Sequence, residues 1–175
     1  VSYDDFLKNL GGDQDKNHSL TRRLLLMLEG EHLFGAARFK QLRLDLVTRY
    51  VDATPKDHQL ALFLLNDIIR YWRTMTVDYM YKTTEDSKPW AIRNIKLIFS
   101  RKLLYASGLF AIGETVDKEK QAKIELLTEL FDLSPIDRLV RICGREACSP
   151  LLTSYDHFLK EMEKPTIRAH LKCIP

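Results

Sequence analysis

The sequence predicts an all-α fold, a bundle of about seven to eight helices with a central buried helix near 89–112. Three observations carry the prediction. Apolar residues recur at the 3.6-residue period through most of the chain, including the strand-like run "TMTVDYMY", which stays in phase with the residues before it. Five of the six prolines (Pro55, Pro89, Pro135, Pro150 and Pro165) stand where a helical pattern begins, and three of them follow Thr54, Ser134 or Ser149. A hydroxyl residue at the N-cap with proline after it is a helix start, because proline lacks only a donor that would be orphaned there anyway. Finally, no two alternating runs are placed to pair as strands.

These marks cut the chain into helices at 19–29, 35–52, 55–83, 89–112, 118–132, 135–143, 150–163 and 165–172. Gly30, Gly113 and Gly144 are expected to end helices in the left-handed conformation that a C-cap favours. Residues 1–17, with Gly11, Gly12, Asp13 and Asp15, read as a flexible lead-in to a single helical domain over 18–175, and "GETVDK" at 113–118 is its weakest joint.

At 45% hydrophobic and 29% charged, 175 residues suffice for one substantial core. A formal net charge of +3 is too small to imply nucleic-acid binding on its own. With no membrane-spanning run and no signal-peptide layout at the start, the expected location is cytoplasmic. Cys143, Cys148 and Cys173 form no CxxC pair and are expected as buried free thiols. The alternative, a zinc site from Cys143, Cys148, His170 and Cys173, has loose spacing.

Charge is unevenly spread. Between Ile68 and Tyr105 stand eight cations and three anions, so this segment carries the basic surplus. On a helical projection Leu65, Ile68, Ile69, Trp72, Met75, Tyr79 and Met80 share one arc, expected as core, while Asn66, Asp67, Arg70, Arg73, Thr74, Asp78 and Tyr81 lie opposite. The next helix is apolar nearly all round, with Arg93, Lys96, Ser100 and Ser107 in one polar stripe and Asn94 and Arg101 in another; Gly108 would admit a close neighbour. A buried cation needs an acid or a bound anion. One reading makes Arg70, Arg73, Arg93 and Arg101 an internal network with Asp67, Asp78 and Glu85. The other leaves part of this basic seam open for phosphate, which guanidinium forks suit, with Trp72 and Trp90 either stacking a base or anchoring the core.

Recognisable catalytic chemistry is missing. The histidines at 18, 32, 58, 157 and 170 are scattered, no phosphate loop or Gly-x-Ser-x-Gly occurs, and Asp13-x-Asp15 reads as a loop rather than a metal site. No catalytic or metal-binding residue is assigned.

Taken together, "TRRLLLMLEGEHLFG" (21–35), "LLNDIIRYWRTMTVDYMYK" (64–82) and "KPWAIRNIKLIFSRKLLYASGLF" (88–110) resemble the helical C-terminal half of bacterial nucleotidyltransferase-like proteins, in the same order and at similar spacing. The resemblance implies an accessory domain, not catalytic by itself, that helps hold a nucleotide or acceptor behind an N-terminal catalytic domain of the same protein. In such a parent, Mg with a nucleoside triphosphate would be the cofactor set; this chain does not carry the family's Gly-Ser turn followed by Asp-x-Asp on a strand, its Asp13-x-Asp15 having neither the strand nor the turn. The substrate or phosphate contacts would fall on the seam: Asn66, Asp67, Arg70, Arg73, Asp78, Lys82, Arg93, Asn94, Lys96 and Arg101. The rival expectation is a free-standing helical interaction module whose exposed apolar patch pairs protomers into a homo-oligomer or takes a partner helix. A helical ribonuclease of the HEPN type, or an RNA-binding domain, is third, since the chain lacks the Arg-x4-6-His spacing.

Overall fold

A computed structural model describes residues 4, 7, 10, 11, 15–53, 58–85 and 89–174. Its helices are α1 (Asn17–Leu28), α2 (Ala36–Asp52), α3 (Leu62–Thr84), α4 (Trp90–Lys96), a π turn (Leu97–Arg101), α5 (Lys102–Gly113), α6 (Lys120–Asp132), α7 (Pro135–Cys143), α8 (Arg145–Glu163) and α9 (Pro165–Cys173). Because α4, the π turn and α5 run on without a break, they make one rod, and the described residues form eight helical rods and no strands. None of these helices is long and apolar enough to cross a membrane.

The core follows directly from the apolar period. Leu20, Leu24, Met27 and Leu28 of α1, Leu46, Val47, Tyr50 and Val51 of α2, Leu64, Ile68 and Tyr71 of α3, and Leu127, Leu130 and Phe131 of α6 recur at three- and four-residue steps, and all are buried. These stripes meet in one cluster with Leu104, Ala111 and Ile112 of α5. Gly108 lies where a Cβ would stand 3.2 Å from both Ile68 and Leu28, so α5 approaches α1 and α3 as closely as glycine permits. Helix α6 packs on α2, α7 on α5, and α9 on α8 and α4. At the 113–118 joint the buried Thr115 hydroxyl accepts from the Ala61 amide (3.1 Å) and donates to the Ile112 carbonyl (2.6 Å), tying it to the start of α3.

Several expectations need correction. Helix α3 begins at Leu62 rather than 55, since 58–61 are non-helical; Thr54 and Pro55 lie outside the described residues. Helix α8 begins at Arg145, so Pro150 sits inside it, costing one backbone hydrogen bond rather than opening the helix. The predicted cap works at α7, where Ser134 Oγ accepts from the Asp137 amide. Among the three glycines expected in left-handed geometry, only Gly144 has positive φ (85°), and with ψ 153° it is extended rather than helical. Gly30 is needed for space instead: a Cβ there would meet the Leu26 carbonyl oxygen at 2.6 Å.

Burial along the central rod is uneven. In α5 Leu104, Ser107, Gly108, Ala111 and Ile112 are buried, whereas Ala91 is the one buried residue of α4 and the π turn has none. In α3 the core face is rotated from the predicted arc: Ile69 and Met80 are exposed and Asp67 is fully buried. The carboxylate is drawn in by Arg23 of α1, the Tyr50 hydroxyl of α2 and Arg70 of its own helix, described below. Of the three cysteines only Cys148 is buried; Cys143 and Cys173 are exposed.

Tyr71 supplies a first prediction. Its hydroxyl is buried with no well-formed hydrogen bond, the Arg101 guanidinium standing close but poorly placed for one, and burial raises its pKa, opposed by that cation. Replacing Tyr71 with Phe removes an unsatisfied polar atom, so stability at pH 7 is expected to hold or rise by about 1 kcal/mol. An unfolded phenol ionises near pH 10 while the folded one keeps its proton to higher pH. The stability this shift contributes is thus full below pH 10 and lost as pH rises beyond it. Denaturant melts at pH 7 and pH 11 should show less alkaline loss in Tyr71→Phe than in the parent; a large loss at pH 7 would refute the assignment.

Candidate functional site

The ten seam residues do not converge on one site. Asp67 is fully buried and accepts from the Tyr50 hydroxyl (2.8 Å), Arg70 Nη1 (2.9 Å) and Arg23 Nη2 (3.4 Å). Arg23, itself fully buried, forks onto both oxygens of Asp15 at 3.0 and 2.6 Å and donates through Nε to the Tyr50 hydroxyl (3.1 Å). Asp15, placed in the expected lead-in, is therefore a buried anchor; its Asp-x-Asp companion Asp13 lies outside the described residues. Burial pulls the Arg23 pKa down, but the bonds from Asp15 and Tyr50 outweigh it and leave it raised. Burial and the facing Asp67 carboxylate likewise hold the Tyr50 phenol neutral.

The rest of the seam is dispersed. Asp78 pairs with Lys82 (2.6 Å) one turn along α3, and Arg101 reaches back to Glu29 at the end of α1 (3.3 Å). The proposed internal network thus exists only for Arg70 with Asp67; Arg101 finds a different acid. Arg73, Arg93 and Lys96 make no ion pair with any described residue, and Asn66 and Asn94 make no side-chain hydrogen bond there. Trp72 stacks on Tyr105 with ring centroids 5.1 Å apart, the anchoring role, while Trp90 is half exposed.

The most apolar concavity described lies elsewhere. An open apolar groove of about 440 Å³ runs between the π turn with α5 on one side and α7 with α8 on the other. Phe99, Leu103, Ala106 and Phe110 form one wall at helical steps of four, three and four. Leu139 and Cys143 of α7, then Cys148, Leu151 and Tyr155 of α8, form the other. Phe158 lies flat on Phe99, with centroids 4.4 Å apart and planes 4° from parallel, joining the walls. Large apolar side chains remain open to solvent here: Ile98, Phe110 and Leu151 are all exposed.

The backbone is irregular at this groove. Lys102 N–H bonds to the Leu97 carbonyl, an i to i−5 step that defines the π turn. Such insertions are uncommon and concentrate at functional positions. Lys102, Ser154, Tyr155 and the two thiols supply the polar atoms of the lining, which includes no carboxylate and no histidine. Partial desolvation at the groove, with Cys148 beside it, raises the pKa of the Cys143 thiol. The arrangement can hold apolar groups; it does not assemble an acid and a base.

A second concavity, between the end of α1 and the start of α7, is more polar; there Asp132 pairs with Arg43 (2.7 Å) and Lys40 (3.2 Å). No group of three or more His, Cys, Asp or Glu side chains among the described residues is placed to hold a metal.

The groove was missed in the sequence because its residues look like core. Its one available signal was that helix 89–112 carries more apolar surface than one helix needs. Comparison with family models, with curated proteins and with solved structures finds no match.

Proposed function

We propose that this chain is a helical interaction module whose apolar groove takes side chains of a protein partner. One observation carries the reading: Ile98, Phe110 and Leu151 stand exposed around an open groove lined almost wholly by carbon and sulfur. Exposed contiguous apolar surface of this kind marks interaction sites in proteins that are otherwise well packed. An anilinonaphthalene dye tests it. Saturable fluorescence enhancement is expected, weakened at least about tenfold by Ala106→Trp, which fills the groove, and unchanged by Arg73→Ala with Arg93→Ala and Lys96→Ala. No saturable binding, or equal loss in both variants, would sink the reading.

A second reading keeps the nucleotidyltransferase-like accessory role, with the seam facing a nucleotide, an acceptor or a catalytic domain. It is favoured by Arg73, Arg93 and Lys96, which have no acid partner among the described residues. Charge-assisted contacts of about 1.5–3 kcal/mol each mean that losing all three should weaken Mg-ATP binding by tenfold or more. Isothermal titration that finds no Mg-ATP binding in the parent removes this reading.

A further inference from the structure

The groove has a matching knob on the same molecule. In the loop between α1 and α2, Leu33 is 98% and Phe34 is 89% exposed, the most exposed large apolar side chains of the described residues. Two glycines bracket this finger. Gly30 has no room for a Cβ against Leu26, and Gly35 turns the chain into α2 at φ 68° in the left-handed region. An aromatic held out on a short loop is a common form of interface anchor.

Finger and groove share one frame. Arg138 donates to the Leu28 carbonyl at the base of the finger (2.9 Å) and to Ser107 Oγ on α5 (2.8 Å), next to the groove-lining Ala106. Arg101, adjacent in sequence to the groove-lining Lys102, pairs with Glu29 (3.3 Å). A knob and a hole held on one rigid frame allow a two-fold arrangement in which each copy's finger meets the other's groove and the assembly closes. Charge agrees: Glu29 and Arg101 are paired within one copy, which leaves exposed Glu31 on the finger and exposed Lys102 at the groove edge to meet across the contact.

We propose that the groove receives the Leu33–Phe34 finger of a second copy of this chain, two copies exchanging fingers across a two-fold axis. Phe34 is the anchor, Leu33 packs beside it, and Glu31 of each copy faces Lys102 of the other. The inference rests on the groove being a docking surface and names its occupant.

Sedimentation equilibrium over a concentration series is the test. The parent should pass from monomer to dimer, and Phe34→Asp, in an exposed loop that leaves the core untouched, should weaken association at least about 100-fold. Ala106→Trp should do the same from the groove side, with exposed Leu151→Asp as a second groove variant in case the tryptophan disturbs packing. An equimolar mixture of Phe34→Asp with a groove variant keeps one intact finger and one intact groove. It should regain dimer that neither protein forms alone. A parent that stays monomeric throughout, a dimer that survives Phe34→Asp, or a mixture as monomeric as its parts would overturn the exchange. Dye uptake separates the two ideas: a monomeric parent that still binds dye loses the self-pairing and keeps the groove, whereas a parent that takes no dye loses both.

Discussion

Replacing Arg23 with Met is expected to cost about 3–5 kcal/mol of folding stability, the range for removing one partner of a buried ion pair. The guanidinium is fully buried and forks onto Asp15 while touching Asp67 and Tyr50. Without it two carboxylates are left in the interior, and Arg70, whose side chain is only partly buried, is the one cation that still reaches both. For a domain whose total stability lies within about 5–15 kcal/mol, that loss is a large share. A drop of roughly 2–4 °C in Tm per kcal/mol makes it visible in a thermal scan. Adding Asp15→Asn and Asp67→Asn should recover part of the loss, because the penalty belongs to the orphaned charges. Arg73→Ala, on the exposed side of α3, should stay within about 0.5 kcal/mol. A stable Arg23→Met protein would contradict the network.

Arg138→Met should cost about 2–4 kcal/mol. Here the cation has no acid; it serves helix ends. Nε donates to the Leu130 carbonyl (2.8 Å), Nη2 to the Leu28 (2.9 Å) and Leu133 (3.1 Å) carbonyls, and Nη1 to Ser107 Oγ (2.8 Å). The last carbonyls of α1 and α6 lack helical partners, and a cation suits that end of the dipole. Burial, with Arg43 nearby, pulls the Arg138 pKa down to about 10, so the charge persists at neutral pH at some cost, and its hydrogen bonds offset that cost. Methionine leaves several buried acceptors unpaired at about 1–3 kcal/mol each, partly offset by the charge no longer being buried. Denaturant melts of Arg138→Met, Ser107→Ala and the pair should show coupling, the double variant losing less than the sum. The same variant should weaken dye binding at the groove, since Arg138 ties α7 to α5.

The helical period and the turn residues made most of the fold legible. Leu20, Leu24 and Met27, or Leu46, Val47 and Tyr50, lie at the spacing of one helical face and are buried together. The failures have particular causes. Ser149-Pro150 looks like a helix start, but Gly144 lets the chain turn from α7 into α8 five residues earlier. Of the predicted arc on α3, Ile68, Leu65 and Met75 do meet the core, but Ile69 and Met80 are exposed, because the core face swings toward Asp67, a residue whose charge suggests an outward position.

The charged side chains that matter most were not in the basic cluster. Arg23 lies in the stripe of Leu20, Leu24 and Met27; Arg43 precedes Leu46 and Val47 by three and four residues; Arg138 stands beside Leu139. An arginine in phase with a buried apolar stripe was the available signal, whereas local charge density pointed to α3 and α4. Beyond the apolar excess of helix 89–112, nothing in the sequence marks the groove or the Leu33–Phe34 finger, because burial is a property of neighbours: Phe110 and Phe131 look alike in sequence, yet one is exposed and the other buried.

The most direct measurement is a methyl-resolved NMR titration with the apolar dye. If the groove is the interaction surface, shifts concentrate on the methyls of Ile98, Leu103, Ala106, Leu139 and Leu151, while those of core residues Leu64 and Leu127 stay in place. Shifts centred instead on methyls beside Arg73 and Arg93, or scattered over the surface with no saturation, would contradict it.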